Sequence, residues 1–298
     1  MKHHFLKLNA DHQALLLAFT CYTLWTVGDT SMKFVMDYHV PVLEASALIN
    51  TLASILVILW CCLTKTTHNL KSKNIATSFV RGLFGTGVSI CNLLTLLHLP
   101  LALFYTIAFT ASFWIAFGGS LFFKERLPPV KIGLIILGFI GVTVSIDPLH
   151  LSTGHLAFIG LAAAFTSAIL FSAMQLIVKH ATRTETPESM MFISWGMIGI
   201  LCGIASLFDL HPFPLIFLLP ILVKSLSSVA AGYAMFNAMK RAHTSTVASL
   251  HYTQIIPGAL FGYVIWHNIP TWNVWIGTAI VITAGLGMIY LTKLPAKA

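Results

Sequence analysis

Residues 43–63 read LEASALINTLASILVILWCCL, and Glu44 is the only charged residue among them. An α-helix needs about 20 apolar residues to cross the hydrocarbon core of a bilayer, so this segment has the length of a membrane span. In hydrocarbon such a segment must be helical, because unpaired backbone polar groups are too costly there. Runs of the same kind recur along the chain and decide its class of fold.

The composition of the whole chain excludes an ordinary soluble protein. The 298 residues are 57% hydrophobic and 9% charged, against about 45–50% and about 25% in soluble domains. Ten spans would use roughly 200 residues, which leaves too few for a separate soluble domain. The five cysteines lie in apolar stretches without ligand-type spacing, so we expect neither a disulfide framework nor a metal site.

Ten apolar stretches, separated by polar residues or prolines, predict an all-α integral membrane protein with ten transmembrane helices. The first stretch has no cleavage pattern and is interpreted as an uncleaved span. We expect helices near residues 14–36, 43–63, 76–97, 101–122, 130–147, 155–178, 190–208, 215–239, 243–265 and 272–292.

The charges sort by side of the membrane. Alternate loops and both termini carry 15 of the 17 basic residues, namely Lys2, Lys7, Lys65, Lys71, Lys73, Arg81, Lys124, Arg126, Lys131, Lys179, Arg183, Lys240, Arg241, Lys293 and Lys297. The opposite loops contain Asp37, Glu44, Asp147 and Asp209 and no lysine or arginine. By the positive-inside rule both termini are cytoplasmic, and the net charge of +8 requires no nucleic-acid partner.

The ten spans divide into two sets of five, residues 1–147 and residues 148–298. Because five is odd, the two halves must have opposite orientations, which is the inverted-repeat plan of many transporters. The halves can be overlaid so that Arg81 falls on Lys224, Thr110 on Thr253 and Gly119 on Gly262, and so that Glu125 falls on Asn268. Sequence identity over this overlay is near chance, so the repeat is inferred from the span lengths and from the positions of the polar residues and prolines between the spans.

Several short motifs resemble the EamA-type carriers of the drug/metabolite transporter superfamily. They are RGLF at 81–84, LHLPLA at 97–102, FKERL at 123–127, GFIGV at 138–142, HYTQ at 251–254 and WHNIP at 266–270, together with DTSMK at 29–33. The resemblance implies a ten-helix bundle of two inverted repeats around a central cavity, which moves a small solute by alternating access. Asn268 departs from the glutamate that the second repeat of the family often carries.

Ionisable side chains inside a membrane are costly, which makes Asp29, Lys33 and Lys224 candidate site residues. Tyr22, Trp25, Asp29 and Lys33 share one face of the first helix. Asp29 and Lys33 form a self-neutralised pair there or line a cavity, and Lys33 alternatively snorkels outward. Lys224 lies near the midplane if its helix starts at Leu215, and at the outer mouth if the helix starts at Pro220.

Other polar groups within the spans have equally open roles. Arg81 snorkels to the cytoplasm or binds an anion. Pro257 predicts a bend with a free carbonyl at Thr253. On the same helix His251, Gln254, Gly258 and Gly262 form a stripe typical of close packing, and Ser245, Ser249, Tyr252 and Tyr263 form the stripe we prefer as cavity wall.

The predicted substrate-binding residues are Tyr22, Trp25, Asp29, Lys33, Asn92, Tyr105, Thr110, Lys224, Tyr233, Asn237 and Tyr252. Gln175 is a further intramembrane polar group, and hydrogen bonding between helices would explain any one of these groups equally well. Tyr233 and Asn237 point away from Lys224 by helical geometry, so one of the two sets does not line a single wall.

Acidic and basic groups beside aromatic residues favour a zwitterionic metabolite, such as an amino acid or a derivative like S-adenosylmethionine. No GxSxG, HExxH or phosphate-loop motif is present, so we expect neither an enzyme nor a cofactor. The alternatives are an anionic phosphosugar carrier that uses Arg81 and Lys224, and a membrane enzyme or lipid-handling factor. We expect a monomer or homodimer in the cytoplasmic (inner) membrane, with a coupling proton as a possible partner.

Overall fold

The computed structural model describes residues 10–124, 129–146, 155–208, 214–242, 244–267, 269 and 271–293. Every regular element in these ranges is helical. Glu125 and Asn268, which the sequence overlay pairs, lie outside the described residues.

The helices of the first half are α1 (Ala10–Met36), α2 (Val42–Leu63), α3 (Ile75–His98), α4 (Leu101–Ala108), α5 (Thr110–Phe123) and α6 (Pro129–Ile146). Those of the second half are α7 (His155–Ala181), α8 (Pro187–Ser206), α9 (Leu218–Arg241), α10 (Thr244–Ser249), α11 (Ile255–Trp266) and α12 (Trp272–Lys293). Short 3₁₀ turns occupy Thr67–Leu70, Leu215–Phe217 and Leu250–Gln254. Each of the ten predicted segments is therefore helical over most of its length.

Six helical segments of the described chain are long and apolar enough to cross a bilayer. They are Val42–Leu63, Ile75–His98, Leu103–Phe123, Ala157–Ala181, Pro187–Ser206 and Leu215–Arg241. Large apolar side chains such as Leu63 and Phe79 are exposed on the outer surface, as expected where lipid is the solvent. The chain is a multi-pass membrane protein.

The fourth and ninth predicted helices are not continuous, and both are interrupted beside a threonine. Thr110, which follows the junction of α4 and α5 at Phe109, donates its hydroxyl to the carbonyl of Ile107 at 2.8 Å. Thr253, in the 3₁₀ turn before α11, donates in the same way to Leu250 at 2.7 Å. Both bonds reach three residues back along the chain.

Pro257 lies next to the second break, but the irregular backbone is not where the sequence predicts it. It lies in the first turn of α11, where a missing N–H costs little because the first backbone donors of a helix have no partner within it. The irregular stretch is therefore the 3₁₀ turn before the proline, rather than a bend within one long helix.

The broken helices also end alike. Lys124 and His267 both adopt left-handed backbone conformations, with φ of 56° and 54°. Their backbone amides donate to Gly119 and Gly262, respectively, and so close the last turn of α5 and of α11.

The main helix contacts join the two halves of the chain. Helix α1 packs on α9, α7 on α3, α2 on α8 and α6 on α12. At the α6–α12 crossing Gly141 and Gly277 bring the two backbones together, because a side chain at either position would meet the other's carbonyl. Gly28 allows a similar approach of α1 to Lys224 and Ser227 on α9. The space left between these pairs holds the central cavity.

Candidate functional site

A cavity of about 150 Å³ lies among α1, α3, α4, α7, α8, α9 and the 3₁₀ turn before α11. Its walls are mainly apolar and aromatic, with a few polar groups that converge on the same space. The polar residues are Asp29, Arg81, Asn92, Ser167, Gln175, Lys224, Ser228, His251 and Gln254. A second space of about 120 Å³ shares Asp29, Asn92 and Lys224 and extends towards Asn50 and Ser89.

An ion pair between the two halves of the protein borders both spaces. Lys224 Nζ lies 2.5 Å from Asp29 Oδ1, and Tyr105 donates its hydroxyl to the other carboxylate oxygen at 3.3 Å. The side chains of Asp29 and Lys224 are 10% and 17% exposed. A carboxylate at this depth is stabilised only with such partners, because the surroundings replace little of its hydration.

Lys33 pairs elsewhere, and the predicted Asp29–Lys33 pair along α1 gives way to two separate interactions. Lys33 Nζ lies 2.8 Å from Asp37 Oδ1 and donates to the carbonyl of Leu96 at 2.8 Å. Asp37 also accepts a hydrogen bond from Trp266 Nε1 at 2.5 Å. Asp29 and Asp37 both lie four residues from Lys33, and Asp29 is instead held by Lys224 of α9.

Arg81 is buried at the cavity wall instead of extending into the cytoplasm. Only 6% of the residue is exposed, and its Nε and Nη1 have no hydrogen-bond partner among the described residues. The guanidinium is therefore a cationic group with free donors inside the protein. Such a group is expensive within a membrane and favours an anionic partner in the cavity.

Amide side chains supply further hydrogen-bonding groups. Asn92 accepts a hydrogen bond from Ser167 at 2.5 Å. Gln254 donates to the carbonyl of Tyr22 at 2.9 Å, which leaves its Oε1 without a partner within the described chain. Gln175 Nε2 and His251 Nδ1 are likewise buried and unpartnered there. These atoms can bond a polar solute or water in the cavity.

The aromatic wall is held together by edge and stacking contacts. Trp25 contacts Phe171 edge-on, with ring centroids 5.5 Å apart. Tyr22 lies behind this wall and stacks on His251 at 4.8 Å. Phe104, Tyr105 and Trp195 add further faces that border the cavity. An apolar or cationic part of a solute would be well accommodated against these rings.

Five of the predicted site residues line the cavity: Trp25, Asp29, Asn92, Tyr105 and Lys224. Five others do not line either space: Tyr22, Lys33, Thr110, Tyr233 and Asn237. The side chain of Tyr252 lies outside the described part of the structure. Tyr233 packs against Trp60, and Asn237 accepts from Arg241, so this pair faces another part of the bundle.

Arg81, Gln175, His251 and Gln254 also line the cavity, although they are not among the predicted substrate-binding residues. The stripe that we expected to pack closely supplies His251 and Gln254 to the cavity, whereas Tyr263 of the preferred stripe is 54% exposed. The available signal was chemical, because glutamine, histidine and arginine are costly in a membrane unless they face an interior space. Helical spacing alone did not indicate which of the two stripes faces the cavity.

A multi-pass helical bundle whose two halves enclose an aromatic cavity with a few converging polar groups is the arrangement of a membrane transporter. The EamA-like transporter family matches residues 12–146 and 158–291, so the chain belongs to this family, and the resemblance seen in its motifs is confirmed.

Curated relatives match this chain at low sequence identity. The chain is 25% identical to a riboflavin transporter of Rhizobium johnstonii over 178 residues, which cover 59% of this chain and 58% of the relative. It is 23% identical to a riboflavin transporter of Brucella anthropi over 198 residues, 64% and 68% of the two chains. An uncharacterized transporter of Archaeoglobus fulgidus is 24% identical over 181 residues, 59% and 63% of the two chains. The chain thus spans less than two thirds of the length of the Rhizobium johnstonii and Archaeoglobus fulgidus relatives.

A solved crystal structure of another protein resembles this one with a TM-score of 0.72. The match covers 94% of this chain and 97% of the other, at 18% sequence identity. At that identity the likeness establishes the fold alone. Together, the family and the relatives point to transport rather than to catalysis.

Proposed function

We propose that this protein is a secondary carrier for a small zwitterionic metabolite with an apolar or aromatic portion, such as an amino acid or a derivative. The observation that carries the proposal is the occurrence of Asp29, Lys224 and Arg81 on one cavity with aromatic walls. A solute with an ammonium group, a carboxylate and an apolar body finds a complementary group for each part.

We infer that the carrier works by alternating access between two inverted repeats, residues 1–147 and 148–298. The packing pattern supports this division, because exchanging the halves converts the α1–α9 contact into the α7–α3 contact. The α2–α8 and α6–α12 contacts are unchanged by the exchange. The breaks at Thr110 and Thr253 and the left-handed ends at Lys124 and His267 recur at corresponding positions. Rocking of such repeats around a central site is a common transport mechanism.

The ion pair gives the solute a route to the carboxylate. An ammonium group that approaches Asp29 competes with Lys224 for the carboxylate. It can donate a hydrogen bond to the oxygen atom that now accepts from Lys224. Because Asp29 belongs to α1 and Lys224 to α9, the exchange would weaken a link between the proposed repeats. Solute binding and rearrangement of the two halves are thereby coupled at one contact.

A flavin-like solute is a second candidate. The observation that favours it is the set of amide groups and aromatic faces on the cavity, with Asn92, Gln175 and Gln254 among the lining residues. A planar ring with donors and acceptors on its edge would stack and hydrogen-bond there. Two of the curated relatives are named riboflavin transporters. Binding of such a neutral solute would depend little on the charge of Asp29.

We place the carrier in the cytoplasmic (inner) membrane with both termini in the cytoplasm, on the basis of the loop charges. The phosphosugar alternative needs Arg81 and Lys224 free together. The pairing of Lys224 with Asp29 leaves one uncompensated cation for such a dianionic group, so we rank this alternative below the zwitterion.

The test is a thermal-shift screen of the detergent-purified protein with L-phenylalanine, L-tryptophan, S-adenosylmethionine, riboflavin and glucose 6-phosphate. A ligand at about a hundred times its dissociation constant should stabilise the protein by roughly 2.7 kcal/mol. Ligands that stabilise the protein are then tested for counterflow in proteoliposomes. Zwitterion binding that is lost in Asp29→Asn supports the proposal. Stabilisation by riboflavin alone, retained in Asp29→Asn, establishes the second candidate instead.

A further inference from the structure

We propose that Arg81 is the anchor for the carboxylate of the transported zwitterion. The inference rests on the proposed function and assigns the anionic end of the solute to one residue. Arg81 is 6% exposed, lines the cavity, and has two guanidinium nitrogen atoms without partners in the described chain. A guanidinium with free N–H groups donates charged hydrogen bonds to a carboxylate.

The other basic groups considered for this role are already engaged. Lys224 is paired with Asp29, and Lys33 is bound to Asp37 and to the carbonyl of Leu96. Lys33 also lines neither of the two spaces. Of the cationic side chains that line the described cavity, Arg81 is thus the one without a carboxylate partner.

The proposed repeat explains why Lys224 has a carboxylate partner and Arg81 has none. Arg81 follows the first residue of α3 by six positions, and Lys224 follows the first residue of α9 by six positions. Helix α9 packs on α1, which supplies Asp29 to Lys224, and α3 packs on α7. Helix α7, from His155 to Ala181, contains no acidic residue. Arg81 therefore has no carboxylate on the helix that packs against its own, whereas Lys224 has Asp29.

The charge of the cavity leads to the same assignment. Two cations and one carboxylate line its described walls, so one positive charge is left without compensation. A solute carboxylate would neutralise Arg81, while its ammonium group engages Asp29.

The experiment compares each amino acid with the amine that lacks only its carboxylate. L-phenylalanine is paired with phenethylamine, and L-tryptophan with tryptamine. Dissociation constants are measured by calorimetry in detergent for the wild type, Arg81→Gln, Arg81→Lys and the matched control Arg183→Gln. Arg183 is exposed in the turn after α7 and does not line the cavity.

Arg81→Gln should weaken binding of the amino acids by roughly 10- to 100-fold, because charged hydrogen bonds are lost. Binding of the amines should change by less than about threefold, and Arg183→Gln should change neither. Arg81→Lys keeps the charge without the fork and should give an intermediate, amino-acid-selective loss. If Arg81→Gln does not fold, the Arg81→Lys comparison alone decides the question.

Two kinds of failure are distinguishable. Equal weakening of amino acid and amine, or no weakening of either, overturns the assignment of Arg81 and leaves the zwitterion carrier standing. A wild-type protein that binds neither amino acid, while another ligand of the thermal-shift panel stabilises it, overturns the proposed function and this inference with it.

Discussion

Lys224 of α9 and Asp29 of α1 form an ion pair with an N–O distance of 2.5 Å, although 195 positions separate them in the chain. The pair joins the two halves of the molecule at the edge of the cavity. Its geometry explains how two ionisable residues persist inside a membrane protein, since each reduces the desolvation cost of the other. Substitution of either residue leaves the other charge buried without its partner.

Asp29→Asn should fold but lose stability and transport. Removal of one partner from a buried ion pair costs about 3–5 kcal/mol, and the partial exposure of both side chains favours the lower end of that range. The double variant Asp29→Asn with Lys224→Met should recover most of the stability without recovering transport. Thermal unfolding in detergent and counterflow of L-phenylalanine measure the two effects. Wild-type transport by the single variant would contradict the role given to Asp29.

The two lysines of the predicted site should behave differently. Lys224→Gln removes a cavity group and frees Asp29, so we expect a loss of L-phenylalanine counterflow of about tenfold or more. Lys33→Gln is the matched change at a lysine that is bound to Asp37 and Leu96 outside the cavity, and we expect an effect below about twofold. A folded Lys33→Gln protein without transport would return Lys33 to the site.

Gly277→Ala should destabilise the protein by about 1–3 kcal/mol, because the new methyl group meets Ser145 and the backbone of Gly141. Gly262→Ala is the control, since a side chain there meets nothing within 4 Å. Its stability should be unchanged or slightly raised, as alanine is the better helix former. Melting temperatures of the two variants in one detergent provide the comparison. Equal temperatures would show that α6 and α12 adjust at their crossing.

The orientation can be measured with two cysteines, introduced one at a time into a background in which all five native cysteines are replaced by alanine. Lys71 and Tyr38 are both exposed and lie in the loops at opposite ends of α2. A membrane-impermeant maleimide applied to intact cells should label Tyr38→Cys and leave Lys71→Cys unlabelled. Both should react after lysis. The reverse pattern would place the termini outside and would contradict the reading of the loop charges.

The positions of the helices followed closely from hydropathy. Each expected span contains helix, and the differences at most ends are a few residues, as for α7, which continues from His155 to Ala181. The sequence overlay also paired Thr110 with Thr253, and both threonines lie at helix breaks with the same hydrogen bond. The break at Phe109 was missed and the one before α11 was misplaced, because neither a one-residue interruption nor a 3₁₀ turn within an apolar run changes its length or its hydropathy.

The sequence by itself determined the membrane class, the helices and the family, because each depends on local composition or on short motifs. It also identified Asp29 and Lys224 as exceptional, since a charge within an apolar run is visible without a structure. Only the tertiary structure decided that these two residues pair with each other, that Lys33 pairs with Asp37, and that Arg81 remains buried with free donors. These outcomes depend on which helices pack together, and helical periodicity gives the face of a residue without naming the helix that it meets.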